Sequence, residues 1–234
     1  MRATRSLLLA LLAASIAACG DDDDTGANPS PSVARLRLVN AAAGTSSVDM
    51  LLSGSDTPLA TLDFGQSNLT CVEVPAGTAQ TLTFRSGSTT LATVTATFGK
   101  DERWTVFLTA AGETRRAVAV ADEETAALAT NGLRFVNATS SSGDVYATTP
   151  GGAPDPSTLA RGNLSPTAAS DDPLTYNFRP VGDTRVRLFD VGTTTGTPRA
   201  DITLEGLPSS RLATVVFTEG ATPETSAFVV FPCQ

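Results

Sequence analysis

Apolar and polar residues alternate with a period of two along much of the chain beyond residue 33. Arg35 and Arg37 alternate with Leu36 and Leu38; Thr93, Thr95 and Thr97 with Val94, Ala96 and Phe98; Arg185 and Arg187 with Val186 and Leu188. In an antiparallel strand this pattern sets one face on a core and the other in water. Turn residues separate the runs at Gly54-Ser55-Asp56, Gly65-Gln66-Ser67-Asn68, Pro75-Ala76-Gly77, Gly87-Ser88 and Gly99-Lys100-Asp101. The spacing predicts seven or eight short strands in about 100 residues, and a sandwich with Greek-key links. Helix formers dominate only near 122–129. The pattern predicts a linker at 122–130, with one helical turn.

The strand pattern is written twice. Leu36-Arg37-Leu38-Val39-Asn40-Ala41 returns almost unchanged as Leu133-Arg134-Phe135-Val136-Asn137-Ala138. Each copy continues with a Ser/Thr/Gly stretch and a Val-Asp or Asp-Val step, Val48-Asp49 and then Asp144-Val145. Val74-Pro75-Ala76-Gly77 leads into Thr81 to Arg85, as Pro180-Val181-Gly182 leads into Arg185 to Phe189. Trp104 to Phe107 parallels Leu212 to Phe217, with an insertion at Pro150 to Pro156 taking up the growing offset. Two units of this size are tandem domains; solenoid repeats are shorter. The expected fold is all-β, with two tandem immunoglobulin-like antiparallel β-sandwich domains at 33–121 and 131–234. Neither copy holds the cysteine pair of an antibody domain, so the likeness is one of architecture.

The first 32 residues follow different rules. Arg2 and Arg5 precede an apolar run from Leu7, which ends in Ile16-Ala17-Ala18-Cys19. A basic start, a short apolar core and small residues before a cut make a secretory signal. A cysteine directly after the cut resembles the bacterial lipoprotein version. That resemblance implies cleavage between Ala18 and Cys19, a signal peptide at 1–18, and acyl chains on Cys19. Leu7 to Ala18 is too short to span a bilayer, which takes about 20 apolar residues, so lipid is the expected anchor. Residues 19–32 add Asp21 to Asp24 and a Gly/Pro/Ser stretch, which reads as a solvated, flexible tether. The aspartates lack the ligand spacing of a calcium loop. Gly20 after the lipidated cysteine points to the outer membrane, on its periplasmic face or the cell surface.

Charge and composition then remove several chemistries. The net charge of −8 becomes more negative once Arg2 and Arg5 are cut away, which disfavours nucleic acid as a partner. Histidine is absent and Lys100 is the only lysine. Ser-His and Cys-His nucleophiles, imidazole bases and the commonest transition-metal ligand are therefore excluded. Neither a cofactor nor a metal site is expected. Glu123-Glu124 and Asp171-Asp172 are adjacent acids in predicted linker or loops, and read as solvated side chains in preference to a glycosidase pair. Asp49 and Asp144 read as turn-pinning residues, as do Asn40 and Asn137. Trp104 and Phe107 should face opposite sides of one strand; Trp104 is the one candidate sugar-stacking platform. The Asn68-Leu69-Thr70 sequon and its two analogues are coincidental in a bacterial chain. Cys71 and Cys233 remain after lipidation, and a pair in an oxidising compartment is expected to bridge, contributing about 4 kcal/mol through chain entropy.

Leu-Arg-x-Val-Asn-Ala, the Val-Asp step and Val-Pro-Ala-Gly together resemble the bacterial envelope family catalogued as domain of unknown function 4397. The resemblance covers Ala34 to about Val120 well and the second copy less well. It implies secreted or lipid-anchored β-sandwich modules, often in tandem, with no catalytic residues to carry over. The repeated residues Leu36, Arg37, Val39, Asn40 and Asp49, with Leu133, Arg134, Val136, Asn137 and Asp144, are read as structural. The expected function is non-catalytic: a lipid-anchored envelope module that binds an envelope protein or glycan. The alternatives are a carbohydrate-binding module and an acid-only hydrolase.

Overall fold

The computed structural model describes residues 32–122, 130–170, 174–180, 182–207, 212–219 and 225–233. The signal sequence, Ala18, Cys19, the tether, most of the linker, Glu123-Glu124 and Asp171-Asp172 lie outside them.

The first half holds β1 (Val33–Ala41), β2 (Ser47–Leu52), β3 (Ala60–Asp63), β4 (Gln66–Ser67), β5 (Val72–Pro75), β6 (Ala79–Ser86), β7 (Thr89–Thr97), β8 (Arg103–Ala111) and β9 (Thr114–Ala121). The second holds β10 (Thr130–Ala138), β11 (Gly143–Thr148), β12 (Leu159–Leu164), β13 (Asn177–Pro180), β14 (Thr184–Asp190), β15 (Ala200–Leu204), β16 (Leu212–Glu219) and β17 (Thr225–Val230). Two single-turn 3₁₀ helices, Pro156–Thr158 and Thr167–Ala169, interrupt it. Among the described residues no helix is long and apolar enough to cross a membrane.

The strands form four sheets with one plan used twice. In the first half, β4-β1-β8-β9, with β5 also on β1, faces β3-β2-β6-β7. In the second, β13-β10-β16-β17 faces β12-β11-β14-β15. Each half is a β-sandwich with its own core. Leu36, Leu38, Met50, Leu82, Phe84 and Val106 fill the first; Leu133, Phe135, Val186, Leu188 and Phe217 fill the second. The predicted turn at Gly77 forms with its φ at +84°, and its amide donates to the Phe98 carbonyl at 2.8 Å.

Three details depart from the sequence pattern. First, the sheets are not wholly antiparallel: β1 runs parallel to β8, and β10 to β16. The chain between the members of each pair builds the opposite sheet, so it returns in the starting direction. Second, the polar side of the inner strands faces water only in part: Arg35 is exposed, but Thr105, Thr109 and Thr214 are buried. The β4-β1-β8-β9 and β13-β10-β16-β17 sheets pack on each other through Val39, Ala41, Phe107, Val136, Ala138 and Val216. The molecule is thus four layers deep, and β8 and β16 are buried on both faces. Third, the register corrects the repeat. Leu36 stands opposite Trp104 and Leu133 opposite Ala213, so Phe217 is the equivalent of Leu108, one residue from the Phe107 match. Phe217 therefore fills a sandwich core and Phe107 the seam between sandwiches.

Register also resolves the altered Val-Asp step. Asp49 stands opposite Arg85, and Asp144 opposite Phe189, which are equivalent positions. Gly143 replaces Val48. A Cβ on Gly143 would lie 2.6 Å from both the Phe189 carbonyl oxygen and Leu188 Cδ1, so no valine fits there.

Candidate functional site: a cleft at the end of the seam

The seam joins equivalent positions of the two copies: Val39 with Val136, Ala41 with Ala138, Phe107 with Val216, and Val120 with Val230. It is an intramolecular version of a two-fold interface, in which one surface meets its own copy. Arg37 and Arg134 are its equivalent cations, one from each copy, each two residues ahead of a seam valine.

Arg134 is fully buried. Its Nη2 donates to Asp122 Oδ1 at 2.8 Å and its Nε to Thr214 Oγ1 at 3.0 Å. Tyr176 donates its hydroxyl to the same Asp122 oxygen at 3.1 Å, and Thr105 donates to Asp122 Oδ2 at 2.7 Å. The guanidinium lies 4.6 Å from the Tyr176 ring centre and 5.6 Å from that of Phe107. Two charges withdrawn from water are tolerable only when paired and hydrogen-bonded in this way. Burial holds the Tyr176 phenol protonated well above its ordinary value; Arg134 opposes that shift and Asp122 adds to it.

Arg37 is half-buried and has no carboxylate within ion-pair distance among the described residues. Its Nε donates to the Phe231 carbonyl at 3.0 Å, and its Nη1 to the carbonyls of Asn68 and Leu69. Burial draws this guanidinium below its ordinary pKa, and the charge of Asp122 acts against the shift. Beside it opens a cleft of about 630 Å³. Arg35, Arg37, Asn68, Leu69, Phe231 and Pro232 are among its walls. That size suits a small ligand or one residue of a larger one. Arg35 meets only Glu73 Oε1, at 3.7 Å, in a half-exposed pair of the kind that contributes little.

Asn68 builds the cleft's edge. β1 is paired with β4 at one end and β5 at the other. Between them the Asn68 side chain takes the place of a strand: Oδ1 accepts from the Leu38 amide at 2.7 Å, and Nδ2 donates to the carbonyls of Leu36 and Thr70. The bulge pushes Leu69 outward until it is 96% exposed. Cys71 and Cys233 are disulfide-bonded, with Cα atoms 5.9 Å apart, and this clips the chain after β17 onto the cleft wall.

The remaining sequence candidates lie elsewhere. Asn40 and Asn137 are buried and do matching work. Asn40 bonds the Leu62 carbonyl, Thr45 and the Ala42 amide; Asn137 bonds the carbonyls of Leu164 and Ser141 and the Thr139 amide. Asp144 accepts from the amides of Asn163 and Gly192, both at 2.7 Å, and so ties two loops. Asp49 accepts only from the Thr61 hydroxyl, on an exposed face. Leu36, Val39, Leu133 and Val136 are core residues. Trp104 is half-buried, edge-on to Phe98 at 5.3 Å, with Nε1 donating to Glu102, so it presents no platform. Among the described residues no group of three or more acidic or cysteine side chains could hold a metal ion. The pattern did not reveal Asp122, Tyr176 or the bulge at Asn68. Asp122 fell in the expected linker, and Asn68 read as an ordinary turn residue.

These features define a two-sandwich module with an open cleft at its seam. The family model described as Domain of unknown function (DUF4397) matches residues 34–148, which span the first sandwich and then β10 and β11. No curated protein matches the chain. Among solved structures, the chain is similar to the crystal structure of CBMbc (family CBM26) from Eubacterium rectale Amy13K in complex with maltoheptaose. The two share 10% identity over 85% of this chain and 96% of that one, at a TM-score of 0.26. A superposition that loose carries no functional argument.

Proposed function

We propose that the protein is a non-catalytic binding module of the bacterial cell envelope, anchored by lipid on Cys19 and facing the periplasm or cell surface from the outer membrane. It engages an envelope protein or glycan through the cleft at its seam. The cleft is the observation that carries the reading. It combines two arginines, an apolar wall and an exposed leucine on a frame held by two cores, a packed seam and a disulfide. Binding residues set on a rigid scaffold lose little freedom when a ligand arrives. The lipid anchor rests on the form of the signal and the place of the cysteine.

The test is isolation of the full-length lipoprotein from mildly cross-linked envelopes, in wild-type form and as Leu69→Asp. Leu69 is exposed, so its substitution leaves the fold intact. Intact-mass measurement should show acyl chains at Cys19. A partner or glycan recovered with the wild type and lost with Leu69→Asp supports the reading. Equal recovery with both forms would sink the cleft as the docking site.

A further inference from the structure

We propose that the cleft is an oxyanion site, in which a ligand's carboxylate or phosphate sits beside Arg37 and Arg35 as Asp122 sits beside Arg134. The proposal rests on the docking role given above and names the chemistry of what docks.

The argument is the inexact symmetry of the seam. Thr105 stands opposite Val120 and Thr214 opposite Val230, so Asp122 in the first copy corresponds to Pro232 in the second. Arg134 receives its counter-charge from Asp122. Arg37 reaches the corresponding stretch of chain but finds a carbonyl, that of Phe231, followed by Pro232. Pro75 and Pro180 occupy equivalent places opposite Val33 and Thr130, so Tyr176 corresponds to Cys71. The aromatic cover over Arg134 is therefore replaced by a disulfide at the wall of an open cleft. One arginine has an internal carboxylate and a lid; its twin has three carbonyls and open space.

Carbonyls hold a guanidinium in place without neutralising it. A partly desolvated cation in a cleft attracts an anion more strongly than an exposed one does. The three carbonyls also fix the plane of Arg37 and take three of its five N–H donors, which leaves those on Nη2 for an oxyanion at a low ordering cost. Arg35 is two positions along the same face of β1 and lines the same cleft, so it supplies a second cation. The concentration of positive charge stands out in a chain of net charge −8. Leu69, Val229, Phe231 and Pro232 offer an apolar wall for the body of the ligand.

The experiment is calorimetric titration of the full-length protein in detergent with glucuronate, inorganic phosphate and, as neutral control, glucose. One molecule of glucuronate or phosphate per chain should bind, and glucose should not. The tighter of the two anions assigns the source as an acidic sugar or a phosphorylated group. Arg35→Gln, at a half-exposed position, should weaken binding about ten-fold, the value of one charge-assisted contact. Pro232→Asp should supply the missing carboxylate internally, abolish anion binding and raise the melting temperature. Silence from both anions would overturn the proposal, as would binding unchanged in Arg35→Gln and Pro232→Asp. If both anions fail while a partner still depends on Leu69, the docking role stands and the oxyanion site falls. Anion binding without any Leu69-dependent partner leaves the site and removes the docking role.

Discussion

Arg37 and Arg134 begin as the same residue in the same motif and end in opposite circumstances. Arg134 is sealed between the sandwiches with Asp122, Thr214 and Tyr176. Arg37 stands at a cleft, hydrogen-bonds to carbonyls, and feels Asp122 only through its charge. The strands that carry them hold equivalent places in the two sandwiches, so the difference comes from what other segments bring beside each. One sheet plan used twice therefore supplies two candidate sites, and one acid and one aromatic decide which is closed and which stays open.

Asp122→Ala should show the largest effect of any change at the seam. It leaves Arg134 buried without a counter-charge and should cost about 4–5 kcal/mol in urea unfolding. At the open site, Arg37→Gln should cost about 1–2 kcal/mol, because the half-exposed carbonyls it leaves can take water. Equal losses would mean the two ends are not distinct.

The disulfide belongs to the open end alone. Cys71→Ser with Cys233→Ser should lower stability by up to about 4 kcal/mol. Amide exchange should quicken around 229–233 and 66–71 while the Arg134 end stays protected. Faster exchange at both ends would show the seam to be one cooperative unit.

The aspartates repeat the contrast on a smaller scale. Asp144→Ala frees two loop amides and should cost about 2 kcal/mol. Asp49→Ala touches one exposed hydroxyl and should stay within about 0.5 kcal/mol. Urea midpoints of the two variants decide the matter.

The smallest effect is a pH dependence. The Tyr176 phenol is raised above its ordinary value of 10.0 by burial. Unfolding above that pH releases a proton that the folded state keeps, so stability is present below pH 10 and falls as pH rises past it. Tyr176→Phe should remove that part of the alkaline loss. An alkaline stability profile identical in the two proteins would show that Tyr176 does not carry it.

Much of the frame was legible in the residues. Period-two alternation located the strands that carry Leu36, Leu38, Val186 and Leu188, and the sandwich architecture follows from it. The doubled Leu-Arg-x-Val-Asn-Ala motif marks β1 and β10, which occupy equivalent places in the two sandwiches. The candidate site was far less legible. Arg37 was visible as a repeated residue, but Arg35 and Arg37 read as a water-facing row. Asn68 read as a turn, although its amide group completes a strand.

The sequence by itself determined strand positions, the two cores and the repeat, because alternation reports which side of a strand is apolar and that is a local property. Only the tertiary structure decided what covers the other side. The second face of each inner sheet meets a copy of itself, about 100 residues away along the chain. Whether an arginine there is neutralised, lidded or left open depends on which remote side chain arrives beside it. Local periodicity has no term for that.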